Sequence, residues 1–221
     1  MDFGRIILLA GHYGSGKTNI AVTLAKHLRA ERDRVMIADI DVVNPYFRTT
    51  DSRRELEEMG ILVAASPFAG SNVDLPALPQ EVYAITDDPG LTGIIDVGGD
   101  DRGALALGRW RDAILAEPTH EMLLVINGYR PLTRNAEDTK EILQEITVAG
   151  GIPFTGIVNN SNLGALTTAR TVLDSLPYAQ AVSEATGLPV KMTAVEASLY
   201  DELKDRIPDL FPMTLQKRPI E

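Results

Sequence analysis

Cysteine is absent from the 221 residues of the chain, and histidine occurs only three times. The absence of cysteine excludes disulfides, thiolate zinc sites, cysteine nucleophiles and cysteine-ligated iron–sulfur clusters supplied by this chain. No apolar stretch approaches the roughly 20 residues of a membrane-spanning helix. A strand-like run follows Met1 almost at once, where a signal peptide would lie. We therefore expect a cytoplasmic protein with no membrane attachment.

Positive charge is scarce as well. The chain has 21 lysines and arginines against 31 acidic residues, which gives a formal net charge of −10. Such a surface as a whole does not attract DNA or anionic lipid, so the composition argues against nucleic acid as a partner. The apolar and charged fractions, 44% and 24%, are those of an ordinary globular protein. A chain of this length favours one domain.

Short apolar runs alternate with helix-length segments along the whole chain. Each run is nearly continuous, which is typical of strands buried on both faces of a parallel sheet. Strand–helix alternation predicts an α/β fold with crossover connections. The expected strands are 5–10, 34–40, 60–66, 92–99, 120–127, 154–160 and 189–195. The expected helices are 18–31, 49–59, 75–86, 104–116, 133–148, 166–186 and 197–206. Residues 206–221 contain three prolines and are expected to be an extended or loosely packed tail.

The segment GHYGSGKT, residues 11–18, matches the phosphate-loop pattern GxxxxGK[ST] between an expected strand and an expected helix. Glycines allow successive N–H groups to turn inward and form an anion site at the positive end of the helix. Lys17 can reach the β- and γ-phosphates of a nucleotide, and the Thr18 hydroxyl can bind Mg²⁺. The alternative is a glycine-rich turn that caps a helix. We expect the nucleotide contacts in this Walker A loop to be Gly11, Tyr13, Gly14, Ser15, Gly16, Lys17, Thr18 and Asn19.

Acidic residues follow two of the expected strands. Asp39 and Asp41 project from the same side of the second strand at its carboxyl end, where open α/β sheets bind ligands. A carboxylate there can orient an attacking water or hold a metal-bound water. The fourth strand ends in Asp96, as a Walker B strand does, and Gly99 permits close approach to a γ-phosphate. Helix caps and solvated loop acids remain the alternatives for these carboxylates. The expected catalytic residues are Lys17, Asp39 and Asp41, and the expected metal ligands are Thr18, Asp39 and Asp96.

Asn159 ends the sixth expected strand. Its side chain can donate and accept a hydrogen bond together, which suits the edge of a purine base. The alternative is an asparagine that merely stabilises a turn.

These segments in this order resemble the P-loop ATPases of the MinD/ParA and nitrogenase iron protein (SIMIBI) group. The matching segments are GHYGSGKT, DIDVVNP, DVGGD and GIVNN, which cover most of the chain to about residue 200. The resemblance implies a P-loop NTPase with a mostly parallel sheet of about seven strands and helices on both faces. It implies a single nucleotide-binding domain over residues 1–221, with ATP and Mg²⁺ as ligands. It also implies that Asp39 lies near the metal, that Asp41 acts on the attacking water and that Asn159 contacts adenine.

The sequence departs from that group at several positions. His12 stands where the group carries a signature lysine that reaches the phosphates of the partner subunit. Dimerisation across two nucleotides would therefore need another residue, such as Arg48. The loop is also close to that of related metallochaperone GTPases. Residues 159–162, however, read NNSN and do not supply their NKxD guanine signature.

Two functions follow from the resemblance. The first is a Mg²⁺-dependent ATP-hydrolysing switch that acts on a partner protein, with a nucleotide-dependent homodimer as one form of that partnership. The second is an ATP-dependent small-molecule phosphotransferase or ligase, similar to dethiobiotin synthetase. In the second case residues 46–48 and 67–88 would help to bind the substrate.

Overall fold

One parallel sheet runs through the chain. The computed structural model describes residues 1–40, 52–65, 80–99, 104–105, 107–108 and 110–214. In these ranges the strands are β1 Ile6–Ala10, β2 Val35–Asp39, β3 Leu62–Ala65, β4 Thr92–Asp96, β5 His120–Ile126, β6 Gly156–Asn159, β7 Val190–Glu196 and β8 Leu210–Met213. Their order is β3-β2-β4-β1-β5-β6-β7-β8, and every neighbouring pair is parallel. The predicted α/β fold is confirmed, with eight strands in place of about seven.

The helices lie between the strands as the sequence predicts. They are α1 Lys17–Glu31, α2 Arg53–Glu58, α3 Ala84–Asp87, α4 Arg111–Leu115, α5 Ala136–Gly150, α6 Ala169–Asp174, α7 Leu176–Thr186 and α8 Tyr200–Leu203. Short 3₁₀ turns cover Gln80–Tyr83, Pro131–Thr133, Gly164–Leu166 and Ala197–Leu199. The single helix predicted over 166–186 is wrong. The chain restarts as α7 after Ser175, because Pro177 lacks an N–H and fits only the first turn of a helix.

Both faces of the sheet are covered. Val35 and Ile37 of β2 belong to the core on the α1 side, whereas Met36 and Ala38 belong to the core on the opposite face, which also contains Trp110 and residues of α5 and α7. This alternation follows from the period of two along a strand. Strands β1, β2 and β4 bury both sets of side chains, which is why their sequences read as continuous apolar runs. Leu62 of edge strand β3 is exposed. No helix among the described residues is both long and apolar enough to cross a membrane.

Part of the tail that the sequence predicts to be extended or loosely packed is an edge strand of the sheet. Leu210–Met213 forms edge strand β8 on β7, and Phe211 and Met213 are buried. Pro212 points outward and is exposed, which suits a proline on an edge strand. The prolines made this stretch look irregular, although they leave its inward-facing residues free to pack. The remainder of the predicted tail, 215–221, lies outside the described residues.

The connections place a crevice at the carboxyl edge of the sheet. The chain leaves β1 toward β2 on one side, and it leaves β5 toward β6 on the other. Ligands of open α/β sheets bind where neighbouring strands send their connections in opposite directions. The loop after β1 is residues 11–16, the glycine-rich segment that the sequence singles out.

Candidate functional site

The glycine-rich loop joins β1 to α1 through backbone conformations that favour glycine. Gly11, Gly14 and Gly16 have φ values of 147°, 76° and 92°. Gly16 is the N-cap of α1, and no side chain caps the helix there. The N–H groups of the first helical turn have no partner within the helix, so this end of α1 suits an anion. The loop therefore combines glycine conformations with a helix end that suits an anion.

Two side chains from distant parts of the chain hold the outer side of this loop. Asn160, just after β6, donates a buried hydrogen bond of 2.7 Å from Nδ2 to the carbonyl of Ser15. Arg130, after β5, donates one of 3.0 Å from Nε to the carbonyl of Gly14. An added Cβ at Gly16 would lie only 2.2 Å from Asn160 Nδ2, so this asparagine requires glycine at that position. Consecutive loop carbonyls are thus fixed from the side of β5 and β6.

Lys17 lies buried at the start of α1, only 5% exposed. Its Nζ is 3.5 Å from the carbonyl of His12, so the ammonium stays close to the loop. An added Cβ at Gly99 would lie 3.1 Å from Lys17 Nζ and 2.8 Å from the backbone nitrogen of Tyr13. The segment after β4 therefore passes directly against the loop, as the expected role of Gly99 requires.

The two predicted carboxylates lie side by side. Asp39 ends β2, Asp96 ends β4, and the two residues are partners in the register of these strands. Each continues the row of side chains that packs on the α1 side of the sheet, since Ile37 and Ile94 belong to that core. Asp39 is 5% exposed and Asp96 is fully buried. Buried charges of this kind are costly unless a ligand or a partner needs them.

This donor set fits Mg²⁺. Thr18 is buried in the first turn of α1 and offers a hydroxyl, and the register pair Asp39 and Asp96 offers carboxylates on the same side of the sheet. Mg²⁺ prefers such hard oxygen ligands and takes only one or two carboxylates from a protein beside phosphate oxygens and water. The described residues contain no group of three or more acidic, histidine or cysteine side chains that could hold a metal alone. The arrangement therefore suits a metal that arrives with a phosphate ligand.

Asn159 is fully buried at the end of β6. Its Nδ2 donates to the Ser175 hydroxyl at 3.0 Å, and its Oδ1 accepts from the backbone N–H of Ser161 at 3.2 Å. Asn159 thus connects the end of β6 with the loop that follows it, through Ser161, and with the junction of α6 and α7, through Ser175. The contact with a purine base stays a prediction.

The remaining predicted residues are distributed around the loop. Ser15 is buried, Tyr13 is exposed, and Asn19 is half-buried on α1. Within the described part of the chain, the Ser15 hydroxyl has no hydrogen-bond partner. Asp41 and Arg48 lie outside the described residues, so the role given to Asp41 stays a prediction.

Sequence reasoning missed Asn160 and Arg130 as parts of the site. Asn160 stands beside the better-known strand-end position of Asn159, and Arg130 belongs to a stretch with no recognised pattern, NGYRPLT. The contacts of these residues with the loop span 145 and 116 positions of the chain. One sequence carries no signal for pairings at such separation.

No protein-family model matches the sequence, and a search of curated proteins finds no match. Solved structures with a similar fold exist. FtsY from Mycoplasma mycoides is 20% identical with a TM-score of 0.52, covering 86% of this chain and 59% of that one. Cell division protein FtsY from Thermotoga maritima is 20% identical with a TM-score of 0.55, covering 88% and 62%.

A third similar structure is the signal recognition particle receptor FtsY from Elizabethkingia anophelis, solved in complex with GDP. It is 20% identical with a TM-score of 0.52, covering 88% of this chain and 58% of that one. The chain thus spans about three-fifths of the length of these structures. At this identity the likeness shows the fold, which is that of the P-loop NTPases, and the predicted fold class is confirmed.

We expect Asn160→Ala to lower the free energy of unfolding by about 1–3 kcal/mol, because a buried carbonyl loses its donor. Asn160→Asp should cost more at neutral pH, since it keeps the shape but sets a carboxylate against the Ser15 carbonyl. Urea denaturation measures both variants. Gln144→Glu, an amide-to-acid change at an exposed position of α5, is the matched control. Wild-type stability of Asn160→Asp would contradict the assignment.

Proposed function

We propose that the chain is a switch that binds a purine nucleoside triphosphate with Mg²⁺, hydrolyses it and acts on a partner protein. One observation carries the proposal. A loop with three positive-φ glycines leads into α1, beside a buried lysine and a register pair of buried aspartates. Glycines before a helix, a lysine in its first turn and acids at neighbouring strand ends are the groups that bind a nucleoside triphosphate with its metal.

In this proposal the loop amides and Lys17 hold the phosphates. The amides point at the anion from the N-terminus of α1, and the Lys17 ammonium balances charge that develops on the transferring phosphoryl group. Thr18, Asp39 and Asp96 would hold Mg²⁺, which neutralises phosphate charge when it is bound. Asp41 is assigned to the attacking water on the strength of the sequence resemblance alone.

The switch itself is assigned to the segments after β2 and β4. Both follow a buried aspartate at the carboxyl edge, so both start at the proposed metal and phosphate positions. In nucleotide switches such segments are ordered by contacts with the γ-phosphate and Mg²⁺ and are released on hydrolysis. A partner protein that recognises only one arrangement would then read the state of the nucleotide.

The identity of the nucleotide base is a separate part of the proposal. The sequence resemblance implies ATP, while one FtsY structure similar in fold contains GDP, which favours GTP as a second candidate. A direct comparison of ATP and GTP decides between them. If Asn159 contacts the base as predicted, Asn159→Ala should reduce the difference in affinity between ATP and other nucleotides.

The phosphotransferase or ligase alternative receives no support from the described part of its substrate segment. Of the segment 67–88 the structure describes residues 80–88. Val82 and Ile85 are fully buried, and Thr86 accepts a hydrogen bond from Trp110 Nε1. An added Cβ at Gly93 of β4 would lie 2.2 Å from Ile85. The inward-facing side chains of this stretch thus support the sheet.

We expect Lys17→Ala to raise the Kd of the Mg-triphosphate by about 100-fold, because a buried charged donor to phosphate is lost. Fluorescence titration with labelled ATP and labelled GTP measures the loss and the base preference together. Lys26→Ala is the matched control, since Lys26 lies on the same helix and, in the described part of the chain, pairs with the exposed Glu55. Unchanged affinity of Lys17→Ala would remove the phosphate-loop assignment and the proposed function with it.

We expect Asp96→Asn to remove most of the Mg²⁺ dependence of binding. In the wild type, chelation of Mg²⁺ should raise the Kd of the triphosphate by about tenfold or more, and in the variant by less than about twofold. The neutral amide keeps the shape of Asp96 but loses the charge that attracts the cation. Asp112→Asn, whose side chain is 96% exposed, is the control. The metal assignment fails if Asp96→Asn responds to chelation as the wild type does.

The proposed partner interaction includes a nucleotide-dependent homodimer. His12 replaces the signature lysine of the MinD/ParA group, and its Nδ1 lies 2.9 Å from the carbonyl of Tyr13. We expect the mass in solution, measured by light scattering, to double with Mg²⁺ and a non-hydrolysable triphosphate but not with the diphosphate. An unchanged mass in both states would exclude the homodimer and direct the search to a different partner protein.

A further inference from the structure

Arg130 reaches the tip of the glycine-rich loop from a turn whose backbone is held at several points. The backbone N–H of Arg130 donates to the carbonyl of Asn127, and the carbonyl of Arg130 accepts from Thr133. Pro131 follows directly and favours the extended conformation that Arg130 adopts, φ −93° and ψ 141°. Asn127 Oδ1 accepts from Tyr129 N, and the Thr133 hydroxyl donates to the carbonyl of Asn127. The side chain of Arg130 therefore starts from a well-determined position.

The same turn is joined to the loop after β6. Gly128 N donates to the Ser161 hydroxyl at 3.0 Å, and the Tyr129 hydroxyl donates to the carbonyl of Thr171 at 2.7 Å. Asn160 of that second loop holds the carbonyl of Ser15. The turn that carries Arg130 and the loop that carries Asn160 thus form one support, which contacts the glycine-rich loop at two consecutive carbonyls.

The contact of Arg130 is made by Nε with the Gly14 carbonyl, although the side chain is exposed. Among the described residues, Nε is the one nitrogen of this guanidinium with a hydrogen-bond partner. An added Cβ at Gly14 would lie 3.6 Å from Arg130 Nε, so the guanidinium rests against the glycine itself. A carbonyl held outward fixes the plane of the following peptide bond. The N–H of that peptide, which belongs to Ser15, donates to the carbonyl of His12 and closes the turn of the loop.

We propose that Arg130 is a positioning residue of the phosphate site, which keeps the tip of the glycine-rich loop in its anion-binding shape through the Nε–Gly14 hydrogen bond. The inference rests on the proposed function, because it assigns the bound anion to the nucleotide phosphates. It assigns the effect to the hydrogen bond and not to the positive charge. The loop is shared by diphosphate and triphosphate, so both should depend on Arg130 equally.

Two substitutions separate hydrogen bond from charge. In Arg130→Gln the amide nitrogen stands as many bonds from the backbone as Nε does, so the donor is kept and the charge is lost. In Arg130→Lys the charge is kept, but a methylene occupies the place of Nε. Arg134→Ala is the control, because Arg134 is exposed and lies at the end of the same turn. Fluorescence titration gives the Kd of labelled diphosphate and triphosphate, and thermal unfolding without nucleotide gives the stability of each variant.

We expect Arg130→Lys to raise both Kd values by about three- to tenfold, the range of one hydrogen bond. Arg130→Gln should recover most of that loss, and Arg134→Ala should match the wild type. The inference is overturned if Lys preserves binding and Gln does not, which would assign the effect to charge. It is also overturned if both variants match Arg134→Ala, or if both lose stability in parallel with affinity. If the wild type and Lys17→Ala bind nucleotide equally poorly, the proposed function itself fails.

Discussion

The hydrogen bond from Asn160 to the carbonyl of Ser15 is the contact on which the site depends most. A loop with three glycines at positive φ has much conformational entropy to lose when it is ordered. Its own backbone offers one turn contact, from Ser15 N to the carbonyl of His12. The remaining order comes from outside, through a buried donor that approaches so closely that only glycine fits at position 16. The conformation of the glycine-rich loop and the position of Asn160 therefore depend on each other.

The register of the sheet sets the electrostatics of the site. Because β2 and β4 pair in parallel and end together, Asp39 and Asp96 are neighbours in space although they lie far apart along the chain. Apolar rows below them, with Ile37 and Ile94 on the same side, leave little water near either carboxylate. Charges in such surroundings interact strongly with any cation brought to them. A mostly apolar strand that ends in an aspartate therefore places a carboxylate at the buried carboxyl edge of the sheet.

The sequence predicts the fold well because the signal is local. Continuous apolar runs indicate buried parallel strands, and the glycine pattern of residues 11–18 indicates the loop. Prediction fails where tertiary context decides. The packing of Phe211 depends on what lies next to it, and the prolines nearby suggest an irregular segment instead. The break at Ser175, by contrast, has a local cause in Pro177, which the prediction of one helix over 166–186 overlooked. Asn159 and Asn160 are the same residue type at the end of one strand, and the sequence does not distinguish them. Asn159 donates to Ser175, whereas Asn160 donates to the carbonyl of Ser15 in the glycine-rich loop.

The two sides of the glycine-rich loop face different chemical groups. On the side of β5 and β6, side-chain hydrogen bonds from Arg130 and Asn160 fix its carbonyls to turns that are themselves joined by Gly128 and Ser161. On the side of β2 and β4 stand the buried carboxylates of Asp39 and Asp96, which the proposed function assigns to Mg²⁺. The hydrogen bonds on the first side involve neither carboxylate. In the proposed function, therefore, departure of phosphate and metal would change the charge balance at the carboxylates and leave the support of the loop by Arg130 and Asn160 intact.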